Sequence, residues 1–128
     1  MKQKLNLLPI VALLVLSSCA TVQTGSDAVV VNAERFTSVA ADTFDLFVHT
    51  EYDNRAYLAT IDPHIHPYAN YIRTNAKGWL QSARVMTKAY KQNRTPENKA
   101  NLTTALATLS AAIAETQKYL IKANPTNP

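Results

Sequence analysis

Two histidines separated by a single residue are the side chains in this sequence best suited to bind a metal ion. His64 and His66 lie in the segment DPHIHPY, next to Asp62 and between two prolines. The prolines favour an extended backbone, which would place both imidazoles on one side. A metal site needs at least three converging nitrogen or oxygen ligands, and the segment supplies only two histidines. The sequence therefore favours two exposed imidazoles at the start of a helix, with a metal site as the alternative.

Motifs typical of enzymes are absent from the sequence. The chain has no glycine-rich phosphate loop, no zinc-protease helix motif and no nucleophile elbow. Paired carboxylates such as Glu51 and Asp53 are expected on a helix surface, without a cleft. We therefore predict that the protein is not an enzyme and has no cofactor.

Charge is distributed unevenly along the chain. Seven acids and two bases lie between Cys19 and Asp62, whereas six bases and no acid lie between Pro63 and Arg94. At 100° per residue, five of these bases fall within about 60° of one another on a helix. We call these five the basic ridge: Arg73, Lys77, Arg84, Lys88 and Lys91.

The basic ridge has two interpretations. It could bind an anionic surface, such as the phosphates of lipid or lipopolysaccharide, where each surface base contributes about 1 kcal/mol. It could instead form salt bridges with acids of the preceding segment and so set how two helices pair. The second interpretation is favoured, because the preceding segment carries a complementary net charge of −5.

Aromatic residues and one glycine in the same segment raise two further possibilities. Tyr68, Tyr71 and Trp79 could form a ligand platform, but Tyr68 and Trp79 recur at helical spacing, which favours the core. Gly78 lies within a predicted helix, where glycine costs about 1 kcal/mol relative to alanine. It could allow a close approach between helices, within the domain or between copies.

Three segments position these residues. Apolar side chains recur at spacings of three and four, which predicts helices over about residues 27–60, 64–93 and 96–123. Their matched lengths and short connections predict an all-α fold, a three-helix up-down-up bundle. The bundle domain is expected to span residues 27–124, with a frayed tail at 125–128.

The predicted helix ends rest on specific residues. Ser26 and Thr95 are the expected N-caps of the first and third helices, and Pro96 suits a first turn. The apolar pattern fades around Tyr52–Arg55, so the sequence leaves open whether the first helix is continuous there.

Residues 1–18 have the features of a signal peptide. Lys2 and Lys4 form a positive n-region, followed by the ten-residue apolar run LLPIVALLVL. A helix that crosses a bilayer needs about 20 residues, so this run is too short to span and fits an h-region instead. Removal of this leader would lower the formal net charge from +4 to +2.

The next residues, Leu16-Ser17-Ser18-Cys19, consist of a branched aliphatic, two small residues and the only cysteine. They resemble the lipobox of bacterial lipoproteins. The resemblance implies cleavage before Cys19, whose sulfur then carries a diacylglycerol, often with another acyl chain on its amino group. One chain alone binds a membrane only reversibly, whereas two or three give a firm anchor.

The lipobox also implies a location. Residues 19–26 would form a lipidated tether, of which the seven residues after Cys19 reach at most about 24 Å. Ala20 after the cysteine, compared with Gram-negative lipoproteins, implies the outer membrane, with its periplasmic face as the default side. This location argues against a nucleic-acid partner.

We expect a non-catalytic binding or structural module at the cell envelope, with an envelope protein, lipopolysaccharide or peptidoglycan as partner. The small helical design also resembles accessory lipoproteins of phages and prophages that act in lysis or superinfection exclusion. Known outer spanins tend to be proline-rich, whereas the prolines here lie at turns and in the tail. The remaining alternative is a metal-binding or enzymatic envelope protein that uses His64 and His66. The sequence leaves the oligomeric state open.

The Cys19→Ser variant should accumulate as an unprocessed or soluble product that no longer partitions with membranes, because the acyl chains have no attachment point. Membrane fractionation and mass spectrometry measure both effects. An unmodified Cys19 thiol in the native protein would contradict the lipobox interpretation.

Overall fold

Three long helices account for nearly all of residues 27–123, the part of the chain that the computed structural model describes. Helix α1 spans Ala28–Ile61, α2 spans Ile65–Gln92 and α3 spans Pro96–Ala123. These bounds differ by one residue at most from the predicted ones, and the all-α three-helix prediction is confirmed. The predicted leader, Cys19, the tether, Asn124 and the tail lie outside the described residues.

Ion pairs at the helix ends show the direction of each helix. Asp27, just before α1, pairs with Arg94, just after α2, with 3.1 Å between Oδ2 and Nε. Helices α1 and α2 are therefore antiparallel. Asp62, just after α1, accepts a 2.7 Å hydrogen bond from Lys122 in the last turn of α3, so α1 and α3 run in parallel. The order is up-down-up, and each helix contacts both others.

Each helix contributes one apolar face to a shared core, as the three-and-four spacing predicts. The large side chains with the least exposure come from all three helices: Phe47, Leu58, Ile65, Ile72, Leu102 and Leu109. Full burial of one such side chain contributes roughly 1.5–3 kcal/mol. The core therefore accounts for the mutual packing of the helices.

Two of the three predicted platform residues, Tyr68 and Trp79, pack against the core, whereas Tyr71 is 50% exposed. Tyr68 stacks on Tyr119 with 4.8 Å between ring centroids and donates a hydrogen bond to the Ala112 carbonyl at 3.1 Å. Trp79 is partly buried against Phe44. The core prediction for Tyr68 and Trp79 is therefore confirmed, and the exposed Tyr71 ring lies 5.9 Å from the Tyr68 ring and 5.4 Å from the Trp79 ring.

Side-chain caps define where two helices begin. The Val29 N–H donates to Asp27 Oδ1 at 2.8 Å, so the N-cap of α1 is Asp27. The prediction of Ser26 is wrong, because the residue one position later supplies the acceptor. The Asn98 N–H donates to Thr95 Oγ1 at 3.1 Å, which confirms Thr95 as the cap of α3.

Helix α1 is kinked in the region where the apolar pattern fades. Asn54 has φ −123° and ψ 20°, outside the helical region. Its side-chain amide donates to the Thr50 carbonyl at 3.0 Å and so satisfies that acceptor within the kink. Leu58 lies in the core beyond it. The apolar face therefore continues through the kink.

None of the helices within residues 27–123 combines the length and apolar character that a membrane crossing requires.

The surroundings of Gly78 differ from the expectation of a close helix approach. A Cβ built at this glycine would meet no neighbouring atom within 4 Å. The predicted close helix approach within the bundle is therefore wrong, since no other helix comes near this position.

Two substitutions should change the free energy of unfolding in opposite directions. Leu109→Ala removes a side chain with 0% exposure and should cost about 2–5 kcal/mol. Gly78→Ala should add about 0.5–1 kcal/mol, because alanine favours the helix and has open space here. Urea unfolding measures both changes, and destabilisation by Gly78→Ala would contradict the open position.

Candidate functional site

Glu51 is the most unusual side chain in the core, with an exposed fraction of 1%. It lies on the buried face of α1 between Phe47 and Leu58. The prediction that it lies on the helix surface is wrong, because its spacing from Phe47 places it on the apolar face. Asp53, two residues further on, is exposed as predicted.

Three basic side chains converge on the Glu51 carboxylate. Arg55 donates from Nε to Oε1 at 2.8 Å, and His66 Nδ1 lies 2.7 Å from the same oxygen. Arg73 donates from Nη2 to Oε2. With Asn70, which joins His66 to Arg73, we call these residues the Glu51 cluster. The cluster links α1 to the first turns of α2.

The Asn70 amide shows which nitrogen of His66 carries the proton. Arg73 Nη1 can only donate, and it lies 2.8 Å from Asn70 Oδ1, so that oxygen faces Arg73. The Asn70 Nδ2 donor then faces His66 Nε2 at 3.2 Å, which makes Nε2 an acceptor. In this arrangement His66 donates from Nδ1 to Glu51 and accepts at Nε2 from Asn70.

The cluster keeps Glu51 ionised. Burial by itself raises the pKa of this carboxyl, because the charged form loses its hydration. Hydrogen bonds from Arg55, Arg73 and His66, with the charge of Arg73, outweigh burial and lower the pKa from 4.5 to about 2. This shift corresponds to stabilisation on the order of 3 kcal/mol at neutral pH.

The two histidines considered as metal ligands have separate roles. His66 Nδ1 is engaged by Glu51, whereas His64 lies at the N-terminal end of α2 and its backbone N–H donates to Asp62 Oδ1 at 2.9 Å. Between residues 27 and 123, no three His, Cys, Asp or Glu side chains are grouped to hold a metal ion. A metal at His66 Nδ1 would have to compete with the Glu51 cluster for that nitrogen.

The basic ridge divides into paired and unpaired members. Arg73 belongs to the Glu51 cluster, and Lys91 Nζ lies 3.9 Å from Glu34 Oε1. Among the described residues, the other three ridge members have no carboxylate within 4.0 Å: Lys77, Arg84 and Lys88. Pairing between the acidic first helix and the basic second helix therefore exists, but only part of the ridge contributes to it.

An open groove of about 520 Å³ lies between two of the unpaired bases on α2 and two acids of α1. Arg84 and Lys88 line it from α2, and Glu34 and Asp42 line it from α1. The Thr37 hydroxyl, also in the groove, donates to the Ala33 carbonyl at 2.7 Å. The groove therefore has walls of opposite charge.

No family model, no curated protein and no solved structure matches this chain. The interpretation of its sites therefore rests on geometry. Sequence reasoning identified Arg73 as a surface base but missed its pairing with Glu51. The available signal was a lone carboxylate in the Phe47–Leu58 apolar stripe, because a buried charge requires charged partners.

Glu51→Gln should lower the free energy of unfolding at pH 7 by about 2–4 kcal/mol, because Arg55 and Arg73 lose the charged carboxylate that accepts their hydrogen bonds. The difference in free energy of unfolding between wild type and Glu51→Gln should be largest above about pH 4.5, the pKa of Glu51 in the unfolded chain. It should disappear as the pH falls through about 2, where Glu51 protonates in the folded state.

Urea unfolding of wild type and Glu51→Gln between pH 7 and pH 2 measures this dependence. The exposed Asp53→Asn variant serves as the control and should change stability little. A difference between wild type and Glu51→Gln that does not change with pH would contradict an ionised, low-pKa Glu51.

Proposed function

We propose that this protein is a lipid-anchored lipoprotein of the bacterial outer membrane whose helical bundle is a non-catalytic binding or structural module. The residues Leu16-Ser17-Ser18-Cys19 support lipid attachment, and Ala20 supports the outer membrane and its periplasmic face. The N-cap of α1, Asp27, follows Cys19 by eight residues, which supports a bundle close to the membrane surface.

The proposed binding role is supported by the members of the basic ridge that have no ion-pair partner among the described residues. Lys77, Arg84 and Lys88 are exposed, and they project from α2 within about 40° of one another. Within residues 27–123 their charges are not neutralised by an ion pair, unlike that of Arg73. An anionic partner can therefore contact them without breaking a bond that the bundle needs.

The position of the ridge favours the membrane itself as the partner. Arg94 pairs with Asp27, so the end of α2 lies at the tether. Lys88 lies about 9 Å and Lys77 about 26 Å along α2 from Arg94, at 1.5 Å per residue. A tether of up to about 24 Å lets the bundle tilt until all three bases face the phosphates of lipid or lipopolysaccharide.

The chain from Ala20 to Pro128 should sediment with vesicles that contain phosphatidylglycerol. Binding should weaken steeply with salt, because exposed charges are screened beyond about 8 Å at physiological ionic strength. The triple variant Lys77→Glu, Arg84→Glu, Lys88→Glu should abolish binding and change the melting temperature little, since no ion pair is broken.

A charge-matched control reverses three exposed bases outside the ridge: Arg35, Lys99 and Lys118. This control should retain most of the binding. If the ridge reversal instead lowers the melting temperature markedly and the wild type never binds vesicles, the ridge serves only to pair helices and the proposal is wrong.

A further inference from the structure

The Glu51 cluster contains more positive charge than its carboxylate neutralises. Arg55 and Arg73 are both charged at neutral pH, whereas Glu51 contributes a single negative charge. Among the described residues, Glu51 is the only carboxylate within 4.0 Å of either arginine. Asp53, the nearest other acid in sequence, forms no ion pair with Arg55 within residues 27–123. With two arginines on one carboxylate, the cluster therefore carries a net positive charge.

Arg55 uses only one of its two hydrogen-bonding edges within the cluster. Its Nε and Nη2 atoms lie 2.8 and 3.4 Å from the two oxygens of Glu51. Both protons of Nη1 and the second proton of Nη2 are left on the other edge, and the side chain is 48% exposed. These donors match the spacing of two oxygens in a carboxylate or phosphate.

Arg73 uses more of its N–H donors in hydrogen bonds within the protein than Arg55 does. Its Nη1 donates to Asn70, and its Nη2 donates to Glu51 and to the Val48 carbonyl. Its side chain is 29% exposed. Arg73 therefore contributes charge to the cluster, whereas Arg55 contributes the accessible donors.

Arg55 is held in position from two sides. The buried Glu51 carboxylate fixes its inner edge, and the Tyr52 ring centroid lies 5.8 Å from its Cζ. A donor fixed in advance loses less conformational entropy when a ligand binds. The Tyr52 ring is 69% exposed, so it contributes little to the core and remains available beside the arginine.

The backbone next to Arg55 adopts an uncommon conformation. Asn54 lies in the sparsely populated region between helix and strand, with φ −123° and ψ 20°. Through the kink, the chain combines a buried Glu51 with exposed Tyr52 and Arg55 within five residues.

We propose that the outer edge of Arg55, with the Tyr52 ring beside it, binds an oxyanion group, either a carboxylate or a phosphate. The two arginines supply the charge, Arg55 supplies the paired donors, and Glu51 keeps Arg55 in place. The site lies about 42 Å from Asp27 along α1, at 1.5 Å per residue. Lys77, the nearest of the unpaired ridge bases, lies one turn or about 6 Å from Arg73 along α2. The proposed site uses Arg55 instead of Lys77, Arg84 and Lys88, so it does not depend on the proposed function.

The test uses the purified 128-residue chain in a neutral detergent, with ¹⁵N-labelled arginine. Inorganic phosphate and acetate are titrated separately, with sodium chloride adjusted to keep the ionic strength constant. The Arg55 Nε–H resonance should shift and saturate, while that of Arg35, an exposed arginine elsewhere on α1, should not. Stronger binding of phosphate would indicate phosphate-bearing ligands, and stronger binding of acetate would indicate carboxylates.

Arg55→Lys keeps the positive charge but loses the paired N–H donors of the guanidinium group. It should therefore weaken the binding of the preferred anion about tenfold. Arg35→Lys is the matched control and should leave binding unchanged. Tyr52→Ala removes an exposed ring and should also weaken binding without affecting folding, which circular dichroism verifies. The proposal is overturned if neither anion shifts Arg55 more than chloride does, or if Arg55→Lys and Tyr52→Ala both bind like the wild type.

Discussion

The buried carboxylate of Glu51 constrains this bundle more than any other polar group, because an unpaired charge in the core would cost several kcal/mol. Its hydrogen bonds reach forward along α1 to Arg55 and across to His66 and Arg73 on α2. These contacts hold the two helices together just before the kink at Asn54. Beyond the kink, Leu58 still reaches the core, so the cluster and the apolar face support the same arrangement.

Basic residues on α2 serve two different purposes. Arg73, and Lys91 at longer range, offset acids of α1 and so favour the observed antiparallel pairing. Lys77, Arg84 and Lys88 lack such partners among residues 27–123, so their charge is directed to solvent. A buried or close pair contributes to the fold, whereas exposed charges contribute little to stability and remain available for an anionic partner. The ridge is therefore one sequence feature with two physical roles.

The two proposed binding surfaces, the unpaired ridge bases and the Arg55 site, lie at different positions along the bundle axis. With the anchor at Cys19, the unpaired ridge bases begin near the tether, while Arg55 lies about 42 Å away from it. A helical bundle is rigid over such distances, since its core is close-packed. In this arrangement the ridge would set how the bundle rests on the membrane, and Arg55 would lie beyond the ridge at the end of α1 far from the anchor.

Local sequence patterns determined the helices of this protein. The three-and-four spacing of apolar residues predicts the helix bounds to within one residue and places Leu109 in the core. The kink lies where this apolar pattern fades, around Tyr52–Arg55. Thr95 as a cap follows from its own side chain and the Asn98 amide three residues later. Lipid attachment at Cys19 also comes from the sequence alone and stays a prediction.

Only the tertiary structure decided the partners of the charged residues. Helical periodicity places Glu51 on the apolar face, but His66 and Arg73, 15 and 22 residues away, reach it only once α2 folds back against α1. The same packing selects which ridge bases meet an acid and leaves Gly78 clear of any neighbour. A helix pattern depends on residues within a few turns, whereas a buried charge is satisfied by whichever donors the fold brings within hydrogen-bonding distance.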